Sequence, residues 1–169
     1  MIKHLVELTV QNATAQQFYD FMTAPTTARY RAWWPGEHLD FRIIKRGDKD
    51  HLGDVVFMDE YLCGQQHLTF NAVVTRVKRP TANHAGQIIW QMKIGGLRLP
   101  ARVRLYLKDT PKGVLVKHEL RLGLTGVGAI LDPFIKLYFN KSFRTNLETH
   151  CKIEWPKLAE YLKDDVNEN

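Results

Sequence analysis

Apolar and polar residues alternate with a period of two in seven runs between residues 2 and 122. This alternation is typical of β-strands that have one buried face. Loop or hairpin segments rich in Gly, Asp and Gln separate most of the runs, which predicts an antiparallel meander. The predicted strands are Ile2 to Val10, Leu39 to Arg46, Asp54 to Leu62, His67 to Lys78, Gln87 to Ile94, Leu99 to Lys108 and Val114 to Leu122.

Two short helices are predicted between the first and second strands. The first carries Phe18 and Phe21 at helical spacing and ends at Pro25, and the second runs toward Trp33. The turn sequence that follows stops the second helix. The candidate N-caps are Asn12 or Thr14 for the first helix and Thr26 or Thr27 for the second.

The end of the chain predicts one long helix. Asp132 followed by Pro133 is typical of a helix N-terminus, and helical periodicity runs from Phe134 to about Leu162. Pro156 is expected to kink or restart this helix, because proline lacks a backbone N–H. The glycine-rich segment 123–131 lacks the spacing of a phosphate-binding loop, and we interpret it as a mobile lid.

This order of elements predicts an α+β fold. About seven strands form a curved antiparallel sheet, and only the last helix is long enough to cover its apolar face. The two short helices follow the first strand. We expect one domain over residues 1–163 and a frayed tail at 164–169.

Composition and charge narrow the function classes. The 169-residue chain is 44% hydrophobic and 25% charged, which are ordinary values for a globular protein. Its net charge of +6 is scattered along strands, without a nucleic-acid-binding motif, so no nucleic-acid partner is expected. The same charge would fit an anionic ligand or an anionic membrane surface, and peripheral membrane contact is the weaker of the expectations. No nucleotide-binding motif, secretory signal or membrane-spanning run is visible, which predicts a cytoplasmic protein without a nucleotide cofactor. The two cysteines are too few for a disulfide scaffold.

Candidate chemistry begins with His150 and Glu154, which lie four residues apart on the apolar side of the last helix. That spacing suits one shared metal ion, and it equally suits a buried hydrogen-bonded pair. His38 follows two tryptophans at the start of a strand, where an exposed loop histidine is the alternative. In the strand that contains Asp59 and Glu60, both faces are apolar, so alternation does not decide which carboxylate points inward.

The element order resembles the START-related, birch-pollen-allergen-like (SRPBCC, polyketide cyclase-like) superfamily. That resemblance implies the helix-grip fold, with a cavity between sheet and helix that holds a hydrophobic or aromatic small molecule. The segments Trp33 to Leu39, Asp59 to Tyr61 and His150 to Glu154 also resemble the diacetylphloroglucinol hydrolase family, which cleaves a carbon–carbon bond in a phenolic ketone with zinc. This narrower resemblance implies zinc or another divalent metal held by four ligands, His38, Glu60, His150 and Glu154.

Two hypotheses follow from these features. The first is a metal-dependent hydrolase, with Tyr61 and His118 as candidates for the catalytic acid; a satisfied core position is the alternative for His118. The second is a metal-free carrier of hydrophobic ligands or lipids, or a cyclase-like binding module. The oligomeric state is left open. The predicted cavity wall consists of Trp34, Phe57, Phe70, Trp90, Met92, His118, Phe143 and Leu147.

Overall fold

The fold is built on one seven-stranded antiparallel sheet that curves around the C-terminal helix. The computed structural model describes residues 2–94, 97–123 and 139–167 of the chain. The strand order is β1-β7-β6-β5-β4-β3-β2, so the chain forms a meander from β2 to β7, and β1 pairs with β7. The strands are β1 (Ile2–Val10), β2 (His38–Lys45), β3 (Val55–Leu62), β4 (Gln66–Lys78), β5 (Gly86–Ile94), β6 (Leu97–Thr110) and β7 (Gly113–Leu122).

These bounds confirm the seven strands predicted from alternation, because each predicted end lies within a few residues of the observed one. Register shifts interrupt the pairing of β2 with β3, β4 with β5, and β5 with β6. An extra residue on one strand bends it and increases its twist. The bulges therefore help the sheet to curve.

Helices α1 (Ala15–Thr23) and α2 (Thr27–Trp33) follow β1, as predicted. Thr14 caps α1 through a capping box, in which its hydroxyl accepts a hydrogen bond from the Gln17 N–H and the Gln17 side chain accepts from the Thr14 N–H. Thr26 caps α2 by accepting from the Arg29 N–H. Of the two alternatives at each site, the sequence therefore uses Thr14 and Thr26.

The long helix α3 (Lys141–Asn167) lies against the sheet and both short helices. Its buried side is apolar over most of its length, with Phe143, Leu147, Cys151, Trp155 and Leu158 all at most 7% exposed. None of the helices in the described ranges is long and apolar enough to cross a bilayer.

The start of α3 corrects the prediction of a continuous helix from Phe134. Residues Phe139 and Asn140 are not helical, and the Asn140 side chain accepts a hydrogen bond from the Phe143 N–H at 3.0 Å. An asparagine side chain that binds the backbone in this way favours a helix start over a helix interior. The predicted cap at Asp132 and most of the predicted lid, residues 124–131, lie outside the described residues.

At the other end of α3, the restart that was one of the two alternatives at Pro156 is wrong, and the predicted helix end is too early. The helix continues through Pro156 without restarting, and it extends beyond Leu162 to Asn167. The carbonyl four residues before Pro156 belongs to the exposed residue Lys152, where water can replace the missing N–H.

We expect Thr14→Ala to lower the free energy of unfolding by about 1 kcal/mol, because it removes the hydroxyl that accepts from the Gln17 N–H, whereas the backbone N–H of residue 14 can still donate to the Gln17 side chain. Chemical denaturation monitored by circular dichroism measures this change. Thr145→Ala is the matched control, since Thr145 is exposed within α3 and caps nothing. Equal destabilisation by the two variants would contradict the capping argument.

Candidate metal centre and ligand cavity

A cavity of about 360 Å³ lies between the concave face of the sheet and α3. Its wall is largely apolar, and Glu60, His118, His150 and Glu154 are among its few polar groups. Six of the eight predicted wall residues line it: Phe70, Trp90, Met92, His118, Phe143 and Leu147.

Phe57 and Trp34 do not line this cavity, which corrects two of the predictions. Phe57 lies on the opposite face of β3 from Met58, with its ring 4.8 Å from the Arg42 guanidinium carbon. Because β3 is apolar on both faces, alternation alone could not place Phe57. Trp34 stacks on the His150 ring at 4.7 Å, and so it packs behind the polar group and not along the cavity wall.

His38, His150 and Glu154 come together at one end of the cavity. One ligand atom from each lies within 4.8 Å of the others, and all three residues are buried. Glu154 Oε1 is 3.7 Å from His38 Nε2, and Glu154 Oε2 is 3.9 Å from His150 Nε2. These distances are too long for hydrogen bonds. His38, which could have been an exposed loop residue, is only 1% exposed.

The two imidazoles are oriented by aromatic packing and lack hydrogen bonds. Tyr30 stacks on His38 with ring centroids 4.1 Å apart and an interplanar angle of 6°. Within the described part of the chain, neither ring nitrogen of His38 or of His150 has a hydrogen-bond partner. A buried polar atom without a partner costs about 1–3 kcal/mol. Such a concentration of unpartnered atoms is typical of a site that binds a ligand.

Glu60 is the fourth predicted ligand, and it lies beside this group. It is the cross-strand neighbour of His38, and its side chain faces the cavity together with that of Met58. The Tyr30 hydroxyl donates a hydrogen bond to Glu60 Oε2. The structure therefore brings three of the four predicted ligands together and holds the fourth nearby through Tyr30.

Asp59 and Tyr61 lie on the other face of β3 from Glu60 and are not among the residues that line the cavity, although their cross-strand neighbours Thr69 and His67 border it. His67 Nε2 is 2.6 Å from an Asp59 carboxylate oxygen, and the Tyr61 ring stacks on the His67 ring at 4.7 Å. Tyr61 is therefore not positioned to act as an acid in the cavity, whereas His118 lines it. A strand places successive side chains on opposite faces, so an inward Glu60 requires an outward Tyr61.

Electrostatics keep the two histidines neutral and disfavour charge on the two carboxylates. Burial, and then the neighbouring His150, lower the pKa of His38 to about 3, against a smaller opposing effect of the Tyr30 backbone. Burial, and then His118, lower the pKa of His150 to about 4. Burial raises the pKa of Glu60 to about 7, although the Tyr30 hydrogen bond opposes this shift. Burial, and then Glu60, raise the pKa of Glu154 well above its ordinary value. Nothing in the described part of the site supplies the positive charge that two buried carboxylates require.

A second group of possible metal ligands also contains Glu154, but two of its members already contact each other. His118, Cys151 and Glu154 also have ligand atoms within 4.8 Å of one another. Here His118 Nδ1 lies 2.7 Å from Cys151 Sγ, so these two side chains already satisfy each other. Burial raises the pKa of the Cys151 thiol well above its ordinary value, which keeps it protonated and a weak ligand.

Sequence reasoning missed three residues of the site. Tyr30 bonds Glu60, and Trp33 donates its indole N–H to the Glu154 carbonyl at 3.0 Å. Glu37 places a buried oxygen, which has no hydrogen-bond partner in the described part of the chain, 3.9 Å from His150 Nδ1. The only sequence signal was proximity, because Tyr30, Trp33 and Glu37 all lie within eight residues of His38.

Comparison with solved structures finds whole-chain matches. Ara h 8.0201 matches with a TM-score of 0.60 and 8% identity, covering 96% of this chain and 98% of that one. The solution structure of KanY protein matches with a TM-score of 0.58 and 14% identity over 98% and 97% of the chains. Ginseng major latex-like protein 151 from Panax ginseng matches with a TM-score of 0.55 and 10% identity over 88% and 96%. The chain has the helix-grip fold.

These identities are low, so the likeness shows the helix-grip fold and not an activity. Comparison of the sequence with protein-family models finds no match, and comparison with curated proteins also finds none. The function of this helix-grip chain therefore has to be argued from its own cavity and polar group.

Proposed function

We propose that this protein binds a hydrophobic or aromatic small molecule in its cavity and holds a divalent metal ion, zinc in the first instance, at the polar end. The ligands are His38, Glu60, His150 and Glu154. The proposal is carried by one observation: both buried imidazoles lack hydrogen-bond partners within the described residues and face the Glu154 carboxylate.

The donor set fits a divalent cation. Two neutral imidazoles and two carboxylates suit zinc, and manganese or ferrous iron use similar ligands. A dication would also balance the buried negative charge of Glu60 and Glu154. Glu37 lies near His150 Nδ1 and would orient that ring through its other nitrogen, as carboxylates next to metal-bound histidines do.

We further propose that the site hydrolyses a phenolic ketone, as the resemblance to the diacetylphloroglucinol hydrolase family implies. Water adds its oxygen to the ketone carbon, the bond from that carbon to the ring breaks, and the ring carbon keeps the electron pair. A proton then replaces the acyl group on the ring, so that the products are a carboxylic acid and the deacylated phenol. A bound divalent ion would polarise the carbonyl as a Lewis acid and would lower the pKa of a bound water.

The chain's own residues supply binding and proton handling. The apolar wall, including Phe70 and Trp90, holds the aromatic ring and excludes water. His118 lines the cavity, and its Nδ1 is engaged by Cys151, which leaves Nε2 to hydrogen-bond a ligand oxygen or deliver a proton. Tyr30 holds Glu60 in place through its hydroxyl.

Metal content tests the first part of the proposal. We expect protein purified without a metal-affinity tag, and then offered zinc, to hold about one equivalent by plasma mass spectrometry. His150→Ala should lose it, because one of the four ligands disappears. His84→Ala is the matched control, since it removes an exposed histidine from a turn. If His150→Ala retains zinc in full, the proposed metal site is wrong.

Activity separates the hydrolase from its alternative. Diacetylphloroglucinol is the probe, and acetate release is the readout, with wild type and His150→Ala assayed side by side. The alternative is a metal-free carrier, which is favoured by the largely apolar wall of the cavity. A carrier should bind the probe with unchanged affinity in the presence of a chelator and should release no acetate.

We expect Leu120→Trp to weaken binding of the same probe at least about tenfold, because the indole fills space that the ligand needs. Leu120 lines the cavity and is 5% exposed. Isothermal titration calorimetry measures the affinity. Leu5→Trp is the control, because Leu5 lies on β1 and is 44% exposed. Equal affinities for the two variants would show that the ligand binds elsewhere.

A further inference from the structure

The outer face of the sheet, opposite the cavity, carries a row of three positively charged side chains. Arg102 on β6 lies directly across from Arg121 on β7, and Arg121 lies directly across from Lys3 on β1. Like charges at directly opposed positions of an antiparallel sheet are destabilising. Glu119, which pairs with Lys3 and Arg121, offsets part of this repulsion, and the row keeps an excess of positive charge that a bound anion would balance.

These arginines border a depression of about 460 Å³, which we call the arginine depression. Four guanidinium groups line it, from Arg76, Arg102, Arg104 and Arg121, on three different strands. Thr75, the extra residue of the β4 bulge, lies at its wall beside Arg76. Bulges are over-represented next to binding and active sites, where they redirect side chains.

Glu119 is the one carboxylate among the lining residues, and it is already engaged. It lies 2.5 Å from Arg121 Nε, 3.0 Å from Lys3 Nζ and 3.6 Å from Arg104. Burial alone would raise its pKa, but the hydrogen bonds from Arg121 and Lys3, together with the charges of Arg121 and Arg104, outweigh burial, and the pKa is lowered. Glu119 is therefore ionised, and its ion pairs fix the positions of the Arg121, Lys3 and Arg104 side chains.

The other guanidiniums retain unused donors. Arg76 is exposed and forms no ion pair with any described residue. Arg102 donates through Nε to the Gln91 side chain, which leaves its two terminal nitrogens for another acceptor. Arg104 Nε is buried and has no partner within the described ranges. Four guanidiniums face one carboxylate, so the arginine depression has a formal charge of +3.

We propose that the arginine depression binds a ligand that carries two or more linked or neighbouring phosphate groups. Guanidinium groups pair with phosphate oxygens in a two-pronged arrangement, and the net charge of the depression matches that of a diphosphate. This site lies on the opposite face of the sheet from the cavity and does not depend on the metal or hydrolase proposal.

Inorganic pyrophosphate is the probe for the first experiment. We expect saturable binding of one pyrophosphate per chain by isothermal titration calorimetry at low ionic strength. Arg76→Gln with Arg102→Gln should weaken it at least about tenfold, since each removes donors that pair with phosphate. Lys49→Gln with Lys112→Gln is the charge-matched control, because both lysines are exposed in turns. Arg76→Gln alone, at an exposed side chain, should fold normally and weaken binding several-fold.

Two results overturn the proposal: no saturable binding, or equal loss of affinity in the arginine pair and the lysine pair. A second arm distinguishes the source of the phosphates. Sedimentation with phosphatidylcholine vesicles that contain phosphatidylinositol 4,5-bisphosphate, reversed by pyrophosphate, indicates a lipid headgroup. Pyrophosphate binding without sedimentation indicates a soluble phosphate ester.

Discussion

Replacing Glu154 with glutamine is expected to stabilise the metal-free protein and to destabilise the zinc-saturated one relative to wild type. Without metal, the variant removes a buried carboxylate that faces Glu60 and keeps the shape of the side chain. We therefore expect its free energy of unfolding to rise by about 1 kcal/mol. Zinc at about a thousand times its dissociation constant should raise the free energy of unfolding of wild type by about 4 kcal/mol. The variant should lose most of this stabilisation, because it lacks one of the four proposed ligands.

Thermal unfolding in a chelator and in excess zinc measures both halves of this prediction. For a chain of this length, 1 kcal/mol corresponds to about 2–4 °C in Tm. Glu148→Gln is the matched control, because Glu148 lies on the same helix and pairs with Lys152 at the surface. If Glu154→Gln lowers Tm equally in chelator and in zinc, then Glu154 has a structural role only.

Trp33→Ala is expected to have the largest effect on stability, lowering the free energy of unfolding by about 3–5 kcal/mol. Trp33 is 3% exposed, and its ring packs against His38 at 4.3 Å and Trp155 at 5.8 Å. Its indole N–H also donates to the Glu154 carbonyl. The residue therefore joins α2 to α3 at the point where the segments that carry His38 and Glu154, two of the proposed metal ligands, meet.

Urea denaturation of Trp33→Ala and Trp33→Phe tests this argument. The phenylalanine variant keeps most of the ring packing and loses the hydrogen bond, so we expect it to cost about 1–2 kcal/mol. It should also weaken zinc binding, since the turn of α3 that carries Glu154 loses its anchor. Equal costs for the two variants would mean that ring packing contributes little.

The strands could be predicted from the sequence because a half-buried antiparallel strand reads as plain alternation. The prediction failed where two physical signals compete. The helical spacing of apolar residues continues on both sides of Asn140, so the sequence places it inside the helix. Its side chain instead accepts a hydrogen bond from the Phe143 N–H, and the helix begins after it. In β3 both faces are apolar, so Phe57 and Tyr61 could not be told from inward residues until pairing with β2 and β4 was known.

The candidate site was predicted in part for a similar reason. The spacing of His150 and Glu154 is local, and a helix places both on one face. The approach of His38 depends instead on how the turn before β2 meets α3, which no local pattern encodes. Tyr30 was missed because a tyrosine on a short helix has no signal of its own, although its hydroxyl reaches a carboxylate thirty residues away along the chain.

Strand β2 ends the sheet, so one of its sides has no neighbouring strand among the residues that the structure describes. Open strand edges are where chains pair wrongly and aggregate. In the proposed site, one ion would join His38 on this edge strand to His150 on α3, closing a loop of about 110 residues. Loss of the ion would then free edge strand β2 from α3, in addition to separating the proposed ligands. For this protein, metal supply would govern how long the folded chain survives in a crowded solution.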